Sequence, residues 1–277
     1  MESIDWDAIP HRSSPRLYKL LKDEIVRMRD AGQILLRLDE LKQQLQLRLP
    51  MESFTPEELK AVVGLLAGPG LIRELEFGDF VLLQPEWINR YAGAVSRSIR
   101  DRVDDMGAIE EDKILNAELK FESMKRLPRA EEEIVLLAMR QILVQYGICF
   151  AEKTDRGTQL IFPSLYRQEQ PEHPGHPPVL VSYRVEGNLK EIYATLIAHV
   201  YYSKIVENAG FWLFAADFKT AGDGKRLGLK MVPGQEAAGE FGIYFDPLID
   251  INTKVAFLRY VDEHLKVKAL KVERTRH

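Results

Sequence analysis

Between residues 59 and 91 the spacing of apolar and polar positions changes several times, and each change predicts a different element. Apolar residues at the three-and-four spacing of a helix open this stretch: Leu59, Val62, Val63 and Leu66. The Gly-Pro-Gly run at 68–70 ends the predicted helix, because glycine accepts a left-handed backbone and proline cannot continue helical hydrogen bonding. A strand, a tight turn at 77–79 and a second strand over 80–83 are predicted next, and Pro85 ends them before a new helix.

Further elements are predicted upstream of this stretch. The Ser-Pro pair at 14–15 starts a helix that runs to Gly32, since the hydroxyl caps free N–H groups and proline suits the first turn. A short strand over 33–36 and a helix over 39–49 follow, and Thr55 caps the helix described above. Helix, turn, helix, hairpin and helix in this order predict a winged helix, a fold that binds DNA in some proteins and joins proteins together in others.

A second unit of the same kind is predicted over 130–166. Its helix is marked by apolar residues at helical spacing: Ile134, Leu137, Met139, Ile142, Leu143 and Tyr146. Gly147 caps this helix, and a hairpin follows with its turn at 155–157. Pro163 then ends the second strand as Pro85 ends the hairpin of the first unit. We therefore expect two winged-helix-like units in succession.

Beyond a linker rich in proline and histidine at 171–178, the pattern predicts a different architecture. A strand over 179–185 and a helix over 189–202 come first. Three strands and a helix are predicted after them: 210–218, 226–232, 240–245 and 253–266. The last helix carries an apolar face made of Val255, Leu258, Val261 and Leu265. This βαβββα order predicts an antiparallel sheet with helices on one face.

The expected fold class is therefore α+β, with two winged-helix-like units followed by an antiparallel-sheet α/β sandwich. A chain of 277 residues is long enough for two or three small domains. We expect the N-terminal helix and the first unit over 1–122, and the second unit with the linker over 123–177. The antiparallel α+β part is expected over 178–277, a length that can fold as a unit.

Composition narrows the classes of function. The net charge of -4 and the pI near 6.0 provide no overall positive field, which counts against nucleic acid as the main partner. Cys149 is the single cysteine, so no intrachain disulfide forms and a reducing compartment is expected. The N-terminus lacks the pattern of a signal peptide, and no stretch approaches the ~20 apolar residues of a membrane span. We expect a cytoplasmic protein without membrane contact.

No stretch of this sequence contains a motif that identifies a catalytic reaction. His173 and His176 invite a metal interpretation, but no further ligand lies nearby and the prolines around them favour a linker. The segment 220–228 has glycines and a lysine but lacks the spacing of a phosphate loop, so it predicts a hairpin turn. His199 and His264 have no partner fixed by sequence, which makes a general-base role a weak hypothesis. We expect no catalytic, cofactor-binding or metal-binding residues, and no enzyme.

Four stretches of the chain, in their order and spacing, resemble a COR domain, the segment that follows the Ras-like Roc GTPase in Roco proteins. They are WDAIPHRSSPRLYKLLKDEI, LLAGPGLIRELEFGDFVLLQPEWI, ICFAEKTDRGTQLIFPSLY and VLVSYRVEGNLKEIYATLI. In that family a helix ending in a glycine turn leads into a strand pair and an L-(D/Q)-P-x-W segment, which here is residues 83–87. The similarity covers nearly the whole chain, and bacterial signalling proteins also use COR-like segments.

The resemblance implies a module that forms homodimers and communicates with a nucleotide-binding domain of the same polypeptide. No Walker motif and no Asn-Lys-x-Asp motif occurs in the sequence. We therefore expect a non-catalytic dimerisation and regulatory piece of a larger protein, with a GTPase or NTPase domain upstream, that couples nucleotide state to oligomerisation.

Aromatic residues of the predicted sheet are the candidates for the dimer interface. They are Trp212, Phe214, Tyr244 and Phe245. Alternation along the predicted strand sends Trp212 and Phe214 to one face of the sheet and Phe211 to the other. Burial in the core is the competing interpretation for most of these side chains.

A winged-helix regulator that binds nucleic acid is the alternative function. Such a protein needs basic or amide side chains on its recognition helix or wing. The helix over 59–66 offers Lys60 and otherwise small or aliphatic residues, and the wing over 73–80 carries three acidic residues against one basic. We therefore do not expect nucleic acid to be the main partner.

Overall fold

The computed structural model of the chain describes residues 15–104, 106–119, 121, 124–171, 177–235 and 237–277. Helices alternate with antiparallel sheets throughout these ranges, so the α+β class predicted from the sequence is confirmed. The predicted cap at Ser14 and the linker histidines His173 and His176 lie outside the described residues.

The helices are α1 (Pro15–Asp30), α2 (Leu38–Arg48), α3 (Pro56–Ala67), α4 (Glu86–Arg100), α5 (Glu111–Leu115), α6 (Arg129–Gln145), α7 (Leu189–Tyr202) and α8 (Ile251–Lys268). The first strands are β1 (Leu35–Arg37), β2 (Arg73–Glu74), β3 (Phe80–Leu82), β4 (Ala108–Glu110), β5 (Phe150–Thr154) and β6 (Gly157–Ile161). The later strands are β7 (Val179–Glu186), β8 (Val206–Trp212), β9 (Ala215–Thr220), β10 (Arg226–Pro233), β11 (Ala238–Phe245) and β12 (Lys271–Arg276).

The first sheet places β3 between β1 and β2, with Leu36 opposite Val81. One hydrophobic core contains the apolar faces of α1, α2 and α3 and includes Leu21, Ile25, Leu41, Leu45, Val62, Val63 and Val81. Thr55 begins α3 as the sequence predicts. Its Oγ1 accepts a hydrogen bond from the Glu58 N–H at 3.2 Å, and the Glu58 carboxylate accepts one from the Thr55 N–H at 2.9 Å.

Gln84 fixes the corner that follows β3. Its Nε2 donates to the carbonyl oxygens of Arg29 at 3.1 Å and Gln33 at 3.4 Å. The Nε1 of Trp87, which is buried, donates to the Gln84 Oε1 at 3.1 Å. One amide side chain therefore joins the end of α1 to the first turn of α4, which gives the L-Q-P-E-W segment a structural role.

The second sheet repeats the order of the first. β6 lies between β4 and β5, with Ile161 opposite both Ala108 and Phe150. Two helices, α5 and α6, separate β4 from the β5–β6 hairpin along the chain, as α2 and α3 separate β1 from β2 and β3. Gly147 ends the approach to this hairpin with a φ of 67°, a conformation that favours glycine.

The third sheet has six strands in the order β12-β7-β11-β10-β9-β8, all antiparallel. One face packs against α7 and α8 around a core that includes Tyr183, Val185, Leu196, Ile197, Phe218, Leu229, Phe241, Ile243, Phe257, Val261 and Leu265. Successive residues of β11 alternate between this core and the opposite face, as expected of a pleated strand.

The structure differs from the sequence prediction in three places within this sheet and its last helix. The stretch predicted as one strand over 210–218 contains the end of β8, a tight turn and most of β9, with Phe214 in the turn at a φ of 58°. Residues 271–276, for which the sequence pattern predicts no element, form the strand β12, because their backbone pairs with β7. On α8 the buried face is Phe257, Val261 and Leu265, whereas Val255 is exposed.

The chain divides into two compact units, residues 1–91 with 127–138 and residues 92–126 with 139–277. Both predicted boundaries, at 122 and 177, fall inside the second of these units. The reason is a shared core, since Ala108, Phe150 and Ile161 of the second sheet belong to the same hydrophobic cluster as the six-stranded sheet. Two parts that the sequence pattern separates are therefore joined by packing.

Candidate interaction surfaces and ligand cleft

Trp212 and Phe214 lie at the tight turn between β8 and β9, and both side chains are partly exposed. The carbonyl oxygen of Phe214 accepts a hydrogen bond from the Met231 N–H at 2.7 Å, which places the turn beside the end of β10. The Trp212 ring lies over Gly210, where a Cβ would be 2.4 Å from the indole. These two predicted interface residues remain near the surface at one end of the sheet.

Tyr244 and Phe245, the other predicted interface residues, are buried within the folded chain. Phe245 packs edge-on against Phe257 of α8, with ring centroids 5.7 Å apart. Tyr244 lies on the opposite face of the sheet, where its hydroxyl donates a hydrogen bond to the buried carboxylate of Asp217. Both aromatic rings are therefore part of the interior. Trp212 and Phe214 are the two candidates that lie near the surface.

The buried carboxylate of Asp217 organises the face of the sheet opposite the helices. The Nε2 of Gln170 donates to its Oδ1 at 3.1 Å, and the Arg226 Nε lies 3.5 Å from its Oδ2. Gln170 also donates to the Tyr244 hydroxyl at 3.2 Å. Gln170 comes directly before residues 171–178, and its side chain is held on the sheet by these two hydrogen bonds.

An exposed apolar patch surrounds the start of α8. It consists of Leu248, Ile251 and Val255, whose exposed fractions are 75%, 69% and 58%. Ile251 and Val255 are four residues apart on one helix and so share a face. We call these three residues the α8 patch. The sequence predicts Val255 as core, because its spacing from Leu258 fits a helical stripe and only packing shows which stripe is buried.

A cleft of about 820 Å³ opens in the second compact unit, beside the first turns of α7. Its walls carry Tyr146, Ile148, Ser164, Leu165, Tyr166, Asn188, Ala194, Thr195 and Leu213. Four cationic side chains and one carboxylate complete the lining: Arg100, Arg167, Lys190, Lys268 and Glu191. Sequence reasoning does not find these lining residues, because they come from α4, α7 with its cap, α8, the segments after α6 and β6, and the turn between β8 and β9.

Thr195 connects the cleft to His264 of α8. The Thr195 hydroxyl donates to the carbonyl oxygen of Glu191 at 2.7 Å, so its oxygen accepts from the His264 Nε2 at 2.9 Å. This arrangement fixes the neutral imidazole with its proton on Nε2. Burial, together with the nearby His199 and Lys268, lowers the pKa of His264 to about 4. The pairing gives His264 a structural partner that the sequence could not show.

The helix and wing that would read nucleic acid are built mainly for packing. Within α3 the residues Leu59, Val62, Val63 and Leu66 are buried. The exposed side of α3 includes Lys60, Gly64 and Leu65, and the hairpin beside it carries Glu74, Glu76 and Asp79. This surface offers little positive charge to a phosphate backbone.

Cys149 is buried, and burial raises the pKa of its thiol to about 12, which leaves it protonated and unreactive. Among the described residues, no three His, Cys, Asp or Glu side chains are grouped as metal ligands. No helix in the ranges that the structure describes is both long and apolar enough to cross a membrane.

No protein-family model matches the chain, and no curated protein sequence matches it.

Proposed function

We propose that the chain is a non-catalytic dimerisation and regulatory module of a larger cytoplasmic signalling protein. In this proposal the larger protein carries an upstream GTPase or NTPase domain, and the module couples its nucleotide state to oligomerisation. The observation that supports the proposal is the repeated sheet order β1-β3-β2 and β4-β6-β5, followed by a six-stranded antiparallel sheet. The order first, third, second is typical of winged helices, and the whole layout is the one that the resemblance to COR domains implies.

Exposed apolar surface gives the proposal a physical basis for pairing. The second compact unit carries the partly buried Trp212 and Phe214 at one end of its sheet, and it exposes the α8 patch at the start of its last helix. Large exposed aliphatic groups that lie together mark association sites more often than isolated ones do. A symmetric dimer uses the same patch on both subunits, so one surface is sufficient.

Light scattering during size-exclusion chromatography tests the dimer directly. At tens of micromolar the chain is expected to have twice its mass of 31.8 kDa. Two variants then locate the surface: Trp212→Ser, and the triple variant Leu248→Ser, Ile251→Ser and Val255→Ser. The variant that yields a monomer identifies the pairing surface.

Val267→Ser serves as the matched control, because Val267 is also exposed on α8 but lies away from the α8 patch. It is expected to leave the mass unchanged. A wild-type chain that is monomeric at these concentrations would contradict the proposal.

A further inference from the structure

The cleft beside α7 combines features that ordinary surface grooves do not combine. Its volume of about 820 Å³ lies within the range of roughly 300–1,000 Å³ that is usual for small-molecule sites. Its lining comes from segments distant in sequence that one core holds in place. It is therefore a concave site assembled by the fold of this unit.

The walls of the cleft are predominantly apolar. Leu165, Ala194 and Leu213 contribute aliphatic surface, and Tyr146 and Ile148 stand at its side with exposed fractions of 58% and 41%. Exposed aromatic and branched side chains beside a concave surface lose water favourably when a ligand covers them. The walls suit an aromatic or acyl body.

The charges of the cleft have one dominant sign. Arg100, Arg167, Lys190 and Lys268 line it, and Glu191 is the single carboxylate among its lining residues. The Lys268 Nζ lies 3.9 Å from Glu191, an exposed pair of the kind that contributes little. A local excess of positive charge on a chain whose net charge is -4 attracts anions to this place.

We propose that this cleft binds a small amphipathic anion, with an aromatic or acyl body against the apolar walls and a phosphate or carboxylate near Lys190 and Lys268. The two lysines approach the same end of the cleft, since Lys190 is in the first turn of α7 and Lys268 ion-pairs with Glu191 of that turn. The inference goes beyond the proposed function and does not depend on dimerisation.

Fluorescence titration with 1-anilinonaphthalene-8-sulfonate tests the proposal on the full chain, because this probe has an aromatic body and one anionic group. N-phenyl-1-naphthylamine has the same body without the charge and serves as the paired probe. The sulfonate is expected to bind one saturable site, more tightly than the uncharged probe and less tightly as salt rises.

The double variant Lys190→Gln and Lys268→Gln is expected to weaken binding of the sulfonate by about fivefold and to leave the uncharged probe unaffected. The matched control is Lys219→Gln with Lys230→Gln, which removes two exposed lysines of the same sheet that do not line the cleft. All four side chains are exposed, so folding should be preserved in both variants. Equal loss in both variants, or no loss in either, would overturn the assignment.

Competition experiments distinguish a ligand with an acyl body from one with an aromatic body. Dodecyl phosphate, below its micellar concentration, presents an acyl body, and adenosine 5′-monophosphate presents an aromatic one. Displacement of the bound sulfonate by either compound supports the proposal and names the body that the walls prefer. Displacement by neither compound contradicts it. A monomeric chain that still binds the sulfonate would reject the proposed dimer and retain this inference.

Discussion

At the scale of single residues, the most informative side chains are polar ones that packing has removed from water. The His264 imidazole is hydrogen-bonded to the Thr195 hydroxyl, and its pKa is lowered mainly by burial. The Oδ1 of the buried Asp217 accepts hydrogen bonds from Tyr244 and Gln170, and the Arg226 Nε lies 3.5 Å from its Oδ2. Nothing in the sequence near either residue predicts these partners, because each partner lies on another element. Because of such pairs, the free energy of unfolding depends on pH and on individual hydroxyl groups.

The lowered pKa of His264 makes the free energy of unfolding depend on pH. Between about pH 6.5 and pH 4 the unfolded chain binds a proton at this residue and the folded chain does not, so stability falls as the pH falls. From pH 7 to pH 5 we expect a loss of about 1–2 kcal/mol from this residue. Urea unfolding at the two pH values measures it, and His264→Gln should reduce the difference by that amount. An unchanged difference in the variant would refute the assignment.

Tyr244→Phe tests whether this residue belongs to the interior. The substitution removes the hydroxyl that donates to Asp217, and we expect it to lower the free energy of unfolding by about 1–3 kcal/mol. The oligomeric state should not change. Tyr146→Phe is the matched control, since Tyr146 is exposed and its loss of a hydroxyl should cost less than about 0.5 kcal/mol. Equal effects of the two substitutions in urea unfolding would be inconsistent with a buried network at Tyr244.

At the scale of elements, periodicity predicts helices and caps whose signals lie within one segment. It fails for elements that depend on contacts with other segments. The helix at Leu59 and the cap at Thr55 follow from local patterns, and the structure has both. The strand β12 does not, because Lys271, Glu273 and Arg274 lack an apolar face and pair with β7 through the backbone. The turn at Phe214 escapes prediction because no glycine occupies it.

Substitution of two glycines by alanine is expected to change stability in opposite directions. Gly64 lies exposed in α3, and a Cβ at this position would meet no atom within 4 Å apart from its own helix backbone. Gly64→Ala should therefore stabilise the chain by about 0.5–1 kcal/mol. At Gly228 a Cβ would lie 2.4 Å from the Ala216 carbonyl oxygen and from the Tyr244 hydroxyl. Gly228→Ala should therefore destabilise by about 1–3 kcal/mol. Thermal or urea unfolding of the pair checks both signs, and a shared sign would contradict this account.

At the scale of the whole molecule, the sequence pattern predicts the fold class, but not which segments share a core. Phe150 shows why, since its ring stacks on Tyr201 of α7 at 4.3 Å and meets Phe211 of β8 edge-on at 5.6 Å. Contacts of this kind join residues about fifty or more positions apart, and single-sequence periodicity carries no information about them. The cleft beside α7 is unpredictable for the same reason.

Sequence reasoning could name aromatic candidates for an interface, but it could not tell which of them are exposed. Aromatic residues on strands are equally consistent with core and surface, and Tyr244 and Phe245 prove to be core. The α8 patch escapes prediction because a helical stripe of aliphatic residues predicts burial. The exposed candidate surface is therefore the α8 patch, with the partly buried Trp212 and Phe214 at the end of the sheet.

Sedimentation equilibrium of the wild-type chain between about 1 and 100 µM tests the central proposal most directly, because the concentrations span the usual range of homodimer dissociation constants. The proposed dimerisation module is expected to approach twice the chain mass of 31.8 kDa as concentration rises, with a single monomer–dimer equilibrium. A mass of 31.8 kDa at every concentration would contradict it.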